Sequence, residues 1–269
     1  MTAQVVRPNR TKDRLAAGEL ALGAVIGSAT PELVEIAAVA GFDFVTFDAE
    51  HETLDDSDLT NCIRAAEAFG VTPVMRVAKD PDRLLRLMDA GAQGVHVPRC
   101  TTVDDMRSLA DWTRFYPRGQ RTFYRLGRGG NYGEGLADDA WSRQVDDAML
   151  VVAMIEEAAA LDHLDAMLAV PHIDAIHIGP KDLWQSLGMP QDTVVDAAIA
   201  RIAAAVHAGG KHLSLQLRAS GNLNRQIERC AALGAAMVSV PILGLLVKAS
   251  QGFVEDMKGR TWPRTREVR

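Results

Sequence analysis

The chain has 269 residues, 48% apolar and 24% charged, a composition that fills one large α/β domain or two small ones with a sizeable core. Its formal net charge of −6 offers no basic footprint for nucleic acid, and it holds no 18-residue apolar run to span a membrane. The N-terminus MTAQVVRPNRTKDRLAAG lacks the apolar centre of a signal peptide, and Cys62, Cys100 and Cys230 form no CxxC, as expected of reduced thiols in a cytoplasmic protein.

One unit recurs along the chain: a helix, a glycine, then a short apolar strand. In SATPELVEIAAVAG, Thr30 can cap, Pro31 takes the first helical position and Gly41 stops the helix before the strand FDFVTFD. In DPDRLLRLMDAG, Asp80, Pro81 and Gly91 repeat the logic before GVHVP. Later, VPHIDAIHIGP and AALGAAMVSVP each carry a helix end into a strand. Eight strands are expected, near 21–27, 43–48, 72–77, 94–98, 150–156, 174–178, 212–217 and 236–240. Alternating β and α predict parallel strands with crossover helices, and eight repeats predict a single-domain (β/α)8 TIM barrel over residues 1–269. A doubly wound open sheet is the rival. Two segments stand apart: a Gly- and Arg-rich loop at 116–139, expected at the active site or an interface, and a basic tail at 259–269. GRGGNYG inside that loop has the wrong glycine spacing and no βαβ context for a dinucleotide site. Arg121, Arg125, Arg128, Tyr124 and Tyr132 could line one side of a substrate pocket or make subunit contacts.

In a barrel the active site gathers at the C-terminal ends of the strands. The second strand ends in Asp48, Glu50 and His51, the third in Arg76, the fifth in Glu156 and the seventh in Gln216. The sixth runs out into Gly179, Pro180, Lys181 and Asp182. Alone, each has an ordinary alternative as a helix cap, a salt-bridge partner or a solvated rim charge. Together they suggest ketone chemistry. Two carboxylates, Glu156 and Asp182, could hold a hard divalent cation and leave positions open for a 2-oxo acid. The cation would stabilise an enolate oxygen, Arg76 would add charge there, and His51 would move protons. The backbone amides of Lys181 and Asp182 suit a substrate carboxylate. His96, His172 and His177 read as satisfied structural histidines. Lys79 and Lys181 allow a Schiff-base alternative, though neither is expected inside the barrel. Glu52 reads as solvated, and Glu50 stays unassigned.

GFDFVTFDAEH, PVMRVAKDP, LMDAGAQGVHVPR, MIE and HIGPKDL, in this order, resemble the HpcH/HpaI aldolase family of metal-dependent pyruvate aldolases, from about residue 14 to 250. The resemblance implies a divalent metal (Mg²⁺, Mn²⁺ or Co²⁺) and reversible cleavage of 4-hydroxy-2-oxo acids to pyruvate and an aldehyde. It implies Glu156 and Asp182 as metal ligands, Arg76 on the keto oxygen, His51 as acid/base and Asp48 supporting the metal's water shell. It also implies pairing of Asp89 with the histidine. Asp89 ends the helix after the third strand, so that pairing is awkward within one chain. The family forms homo-oligomers, trimers or hexamers, commonly with exchanged C-terminal helices, and a neighbouring chain could supply it. A helix-terminal surface aspartate is the alternative. Met154 stands where the family often has glutamine, and Gln216 where it is often apolar or small, which suggests a shifted substrate preference. Val240-Pro241 implies a narrower pocket at the eighth strand. The rival activities are a citrate-lyase-like or malyl-CoA-type lyase, and a non-catalytic barrel that binds a 2-oxo acid.

Overall fold

A computed structural model describes residues 6–260. In chain order its elements are α1 (Arg10–Ala16), β1 (Ala21–Ile26), α2 (Pro31–Val39), β2 (Phe44–Asp48), α3 (Asp56–Phe69), β3 (Thr72–Arg76), α4 (Pro81–Asp89), β4 (Gly94–Val97) and α5 (Val103–Thr113). A 3-10 turn (Arg128–Gly133), α6 (Asp138–Ala148), β5 (Leu150–Ile155), a second 3-10 turn (Ala158–His163), α7 (Leu164–Leu168), β6 (Ala175–Ile178) and α8 (Pro180–Ser186) follow. The chain continues through α9 (Asp192–Ala208), β7 (His212–Gln216), α10 (Leu223–Ala232), β8 (Met237–Pro241) and α11 (Ile242–Lys258). Residues 261–269 of the expected tail lie outside the described residues. Each strand pairs in parallel with the next, and β8 pairs with β1 in the register Gly23 to Ser239, so the sheet closes into a barrel and the open-sheet rival is excluded. Among the described residues no helix is long and apolar enough to cross a membrane.

Local chemistry sets the element ends. Pro31, Pro81 and Pro180 each open a helix, where a missing N–H leaves no bond unmade. The Asp80 carboxylate accepts the Arg83 N–H at 3.0 Å and caps α4. Thr30 does not cap α2; its hydroxyl donates to Ser28 Oγ at 3.2 Å instead. Gly41 and Gly91, with φ of 96° and 109°, turn the chain from α2 and α4 toward the following strands.

Strand side chains alternate between the barrel interior and the helices. The outward set packs against the helices as the main core, with Phe47, Met75, Leu87, Met106 and Ile155 fully buried. The inward set begins as an apolar plug of Phe44, Val74, Leu150, Val152, Ala175 and Met237, closed from below by Leu15 of α1. Gly23 makes room for the plug: a Cβ there would stand 2.1 Å from the Phe44 ring. α1 is fastened as the floor by Asn9, whose amide donates to Gln93 O at 2.9 Å and Ala148 O at 2.7 Å. One inward position further along the strands the lining turns polar, with Thr46, His96, His177, Ser214 and Ser239 all buried.

The loop at 116–139 does not bring its arginines to this chain's own barrel mouth. Arg121 pairs with Asp89, Arg128 with Glu67 at the end of α3, and Arg125 with Asp138 and the carbonyls of Gly133, Glu134 and Leu136. These bonds brace the loop against the N-terminal end of the barrel, where the helices after the strands finish.

Candidate active site

The strand ends gather one polar rim. Asp48 closes β2, Arg76 closes β3, Glu156 follows β5 directly and Gln216 closes β7. Asp48 and Arg76 are register partners. Asp48 Oδ1 accepts the backbone N–H groups of Glu50 at 3.3 Å and His51 at 3.2 Å, folding the loop back over the mouth. Its other oxygen accepts from Arg76 Nη1 at 3.2 Å. The second terminal nitrogen of Arg76 lies 3.0 Å from His51 Nε2 and 2.8 Å from Glu50 Oε2. A guanidinium can only donate, so this contact is a hydrogen bond in the tautomer whose Nε2 accepts. The His51 side chain is largely open to solvent, and its Nε2 lies between the Arg76 guanidinium and the Glu50 carboxylate, 3.5 Å from Glu50 Oε2.

Glu156 is the most constrained acid of the rim. Its residue is 3% exposed, Oε1 accepts the Arg99 N–H at 2.9 Å, and Oε2 has no hydrogen-bond partner. Burial raises its pKa most; the Arg99 N–H and the Arg76 charge oppose that, and the charges of Asp182 and Glu50 push it further up. Gly179 forms a cradle against this carboxylate, since a Cβ there would come 2.6 Å from Oε2. Asp182, the third residue of α8, is exposed at the same rim. A buried carboxylate oxygen lacking a donor, with a second carboxylate close enough to repel it, is a donor set that suits a hard divalent cation. Among the described residues no group of three His, Cys, Asp or Glu side chains converges as a complete metal cage, so any such ion would draw further ligands from water or substrate.

The sequence left two rim residues without a role. Glu50, 11% exposed by its side chain, joins the Arg76 cluster and lies 3.5 Å from Arg99 Nε. Arg99 has φ of 55°, a left-handed backbone that costs a non-glycine residue roughly 1–2 kcal/mol. That conformation turns its N–H onto Glu156, while the next amide, Cys100 N–H, bonds Met154 O at 3.0 Å. The signal was the arginine directly after GVHVP, on the one neighbour of β5 whose end looked wholly apolar.

Other expectations fall elsewhere. Asp89 is not brought to His51 within the chain; it lies at the far end of α4, where its carboxylate accepts from buried Arg121 at 2.8 Å. A cavity of about 50 Å³ opens there beside Arg121 and Trp141, away from the mouth. Lys181 leans over the Trp184 ring at 5.4 Å, and Lys79 pairs with Asp105 at 2.5 Å, so neither amine sits in the barrel interior as a Schiff-base lysine would. His177 is satisfied by Ser214 at 2.9 Å, but His96 Nε2 is buried with no protein partner, contrary to its reading as a satisfied residue.

Comparison with known proteins agrees with this architecture. The family model described as HpcH/HpaI aldolase/citrate lyase matches residues 21–241. A 2-keto-3-deoxy-L-rhamnonate aldolase of Shigella sonnei (strain Ss046) is 32% identical over 270 residues, covering 95% of this chain and 96% of the relative. An HpcH/HpaI aldolase/citrate lyase family protein from Burkholderia cenocepacia J2315 superposes with a TM-score of 0.84 at 26% identity, over 93% of this chain and 99% of that one. The citrate synthase SbnG superposes with a TM-score of 0.80 at 28% identity, over 92% and 97% of the two chains. The motifs along the strands, the closed barrel and these matches place the chain in the HpcH/HpaI aldolase/citrate lyase family, to which it belongs.

Proposed function

We propose that this barrel is a lyase that reversibly cleaves 4-hydroxy-2-oxo acids into pyruvate, or a related 2-oxo acid, and an aldehyde. The observation that carries the reading is the pairing of two features on one rim. One is the partnerless Oε2 of Glu156, a carboxylate that feels the charge of Asp182; the other is the Arg76–His51 contact at 3.0 Å. Glu156 and Asp182 would hold a divalent cation (Mg²⁺, Mn²⁺ or Co²⁺). When bound, that ion supplies Lewis-acid polarisation of a 2-oxo acid.

The chain's own residues supply the rest. Arg76 would donate to the keto oxygen, where negative charge grows as the carbon–carbon bond breaks. His51, with Nε2 unprotonated, would take the proton of the 4-hydroxyl group, and the bond electrons would pass to the carbon next to the ketone. Returned to that carbon, the proton completes pyruvate. Asp48 acts as a positioning residue, since it fixes both the His51 backbone and Arg76. Gly179, Pro180 and Lys181 would border the substrate carboxylate, and Gln216 would border the same pocket from β7. The chain is proposed to work as a homo-oligomer, a trimer or hexamer, to which the exposed apolar Leu246, Val247 and Phe253 of α11 are suited. Asp89 would meet His51 only from a neighbouring copy.

Pyruvate release from a 4-hydroxy-2-oxo acid, with and without EDTA, tests the reading. EDTA-sensitive release restored by Mn²⁺ is the expected result. Absence of release with all three metals rejects it. Borohydride trapping of pyruvate on the protein would shift it to a lysine mechanism, and turnover of an acyl-CoA substrate instead would favour the citrate-lyase-like alternative.

A further inference from the structure

Between its apolar floor and its mouth the barrel is lined by polar side chains. A cavity of about 20 Å³ lies between these side chains, among them Arg76, His96, His177 and Ser214, and the apolar Val25, Phe44, Val74, Val152 and Met237. A single water needs about 10–15 Å³ by the same measure. Two side-chain atoms on this lining are buried and have no hydrogen-bond partner in the protein: Arg76 Nε and His96 Nε2. Arg76 and His96 are register partners on adjacent strands, and both face inward. The terminal nitrogens of Arg76 are already committed to Asp48, Glu50 and His51, so Nε is the one donor of that guanidinium left on the inner side.

We propose that this layer is a water-binding site that positions Arg76: one buried water accepts from Arg76 Nε and donates to His96 Nε2. The inference rests on the role given to Arg76 in the proposed function. The donor–acceptor arithmetic closes. Arg76 only donates, a water both accepts and donates, and a neutral imidazole accepts at one nitrogen. Neutrality of His96 follows from its surroundings. Burial, then the neighbouring His177 and the Arg76 charge, hold its pKa well below the ordinary value. His177 is kept neutral too, near 3, first by burial and then by Arg76. Its ring lies 4.7 Å from that of His96, and Ser214 fixes it at 2.9 Å, so the acceptor ring is backed by a second one that cannot turn freely. Ser239 and Gln216, on the same lining, offer the water further partners. A second cation here would oppose Arg76 and an anion would draw it from Asp48 and Glu50; an uncharged column orients it without either effect.

A crystal structure that resolves solvent is expected to show one water within about 3.2 Å of both atoms. A dry cavity, or Arg76 Nε bonded directly to protein, overturns the proposal. Kinetics give the second arm. His96→Leu is expected to lower kcat for pyruvate release about tenfold, with KM changed less than about twofold and no fall in melting temperature. His96→Gln, which keeps an acceptor, should recover most of that loss. Equal activity of wild type, His96→Leu and His96→Gln refutes a positioning role. If wild-type protein releases no pyruvate, the lyase reading fails separately, and the crystal still decides whether the water bridges these two atoms.

Discussion

Replacing Gly179 with alanine adds one methyl group where three atoms already stand. The new Cβ would lie 2.5 Å from Met154 Cε, 2.6 Å from Glu156 Oε2 and 2.7 Å from Glu156 Cβ. Carbon atoms attract at about 3.5–4.0 Å, so each contact falls short by roughly 1 Å. The φ of −94° at Gly179 is open to any residue, so backbone strain adds nothing and the whole effect is steric. The Met154 thioether can swing aside, but Glu156 Cβ is tied to the end of β5, and its carboxylate must yield. Overpacking of this kind costs about 1–3 kcal/mol, or about 2–4 °C of melting temperature per kcal/mol in a chain of this size. Cation affinity should fall as well, by about 10–100-fold, because the displaced group is the proposed ligand. Pyruvate release titrated with Mn²⁺, beside a metal-free melt, reads both effects. Adding Met154→Ala should relieve the thioether contact and restore part of the melting temperature while leaving the Mn²⁺ requirement raised. A folded Gly179→Ala protein with an unchanged Mn²⁺ half-saturation would refute the assignment of Glu156.

Asp89→Ala should destabilise the chain by about 3 kcal/mol in denaturant unfolding, because it leaves the Arg121 guanidinium, 2% exposed by its side chain, without its ion partner. An unfolding midpoint equal to wild type would show that Arg121 is satisfied elsewhere. Asp105→Asn should lower stability near neutral pH and lose that penalty in acid. Burial raises the Asp105 carboxyl, but Lys79 and the amides of Thr101 and Thr102 outweigh it and bring the pKa to about 2, from 3.8. The folded value is the lower one, so its stabilisation is complete above about pH 4 and fades as pH falls through about 2. Urea midpoints of wild type and Asp105→Asn should therefore differ near neutrality and converge at the acid end; a gap that persists unchanged would reject the ionic origin.

The strands were legible because their punctuation is local. Proline at the first helical turn, glycine after the last and a short apolar run between turns place all eight within about one residue of the observed ends. The rim residues Asp48, Arg76, Glu156 and Asp182 were legible for a related reason: each follows an apolar strand, and a closed barrel leaves one place for such a group. What stayed hidden depends on three-dimensional pairing. Glu50 looks like its neighbour Glu52 until Arg76 reaches across from β3. Arg99 acts through a left-handed backbone and a main-chain N–H, neither of which a side-chain motif records. His96 and His177 occupy alternate inward positions of β4 and β6, and only the barrel's closure makes them neighbours at 4.7 Å. The loop arginines read as lining the pocket or as subunit contacts; within the chain Asp89, Glu67 and Asp138 pair with them.

The floor built by Leu15, Phe44 and Met237 makes the barrel a vessel with a single door. Whatever reaches the polar lining beneath the rim must enter and leave at the strands' C-terminal end, so arrival and departure share one route. A small molecule lodged there, or a neighbouring copy resting over it, would slow both directions together.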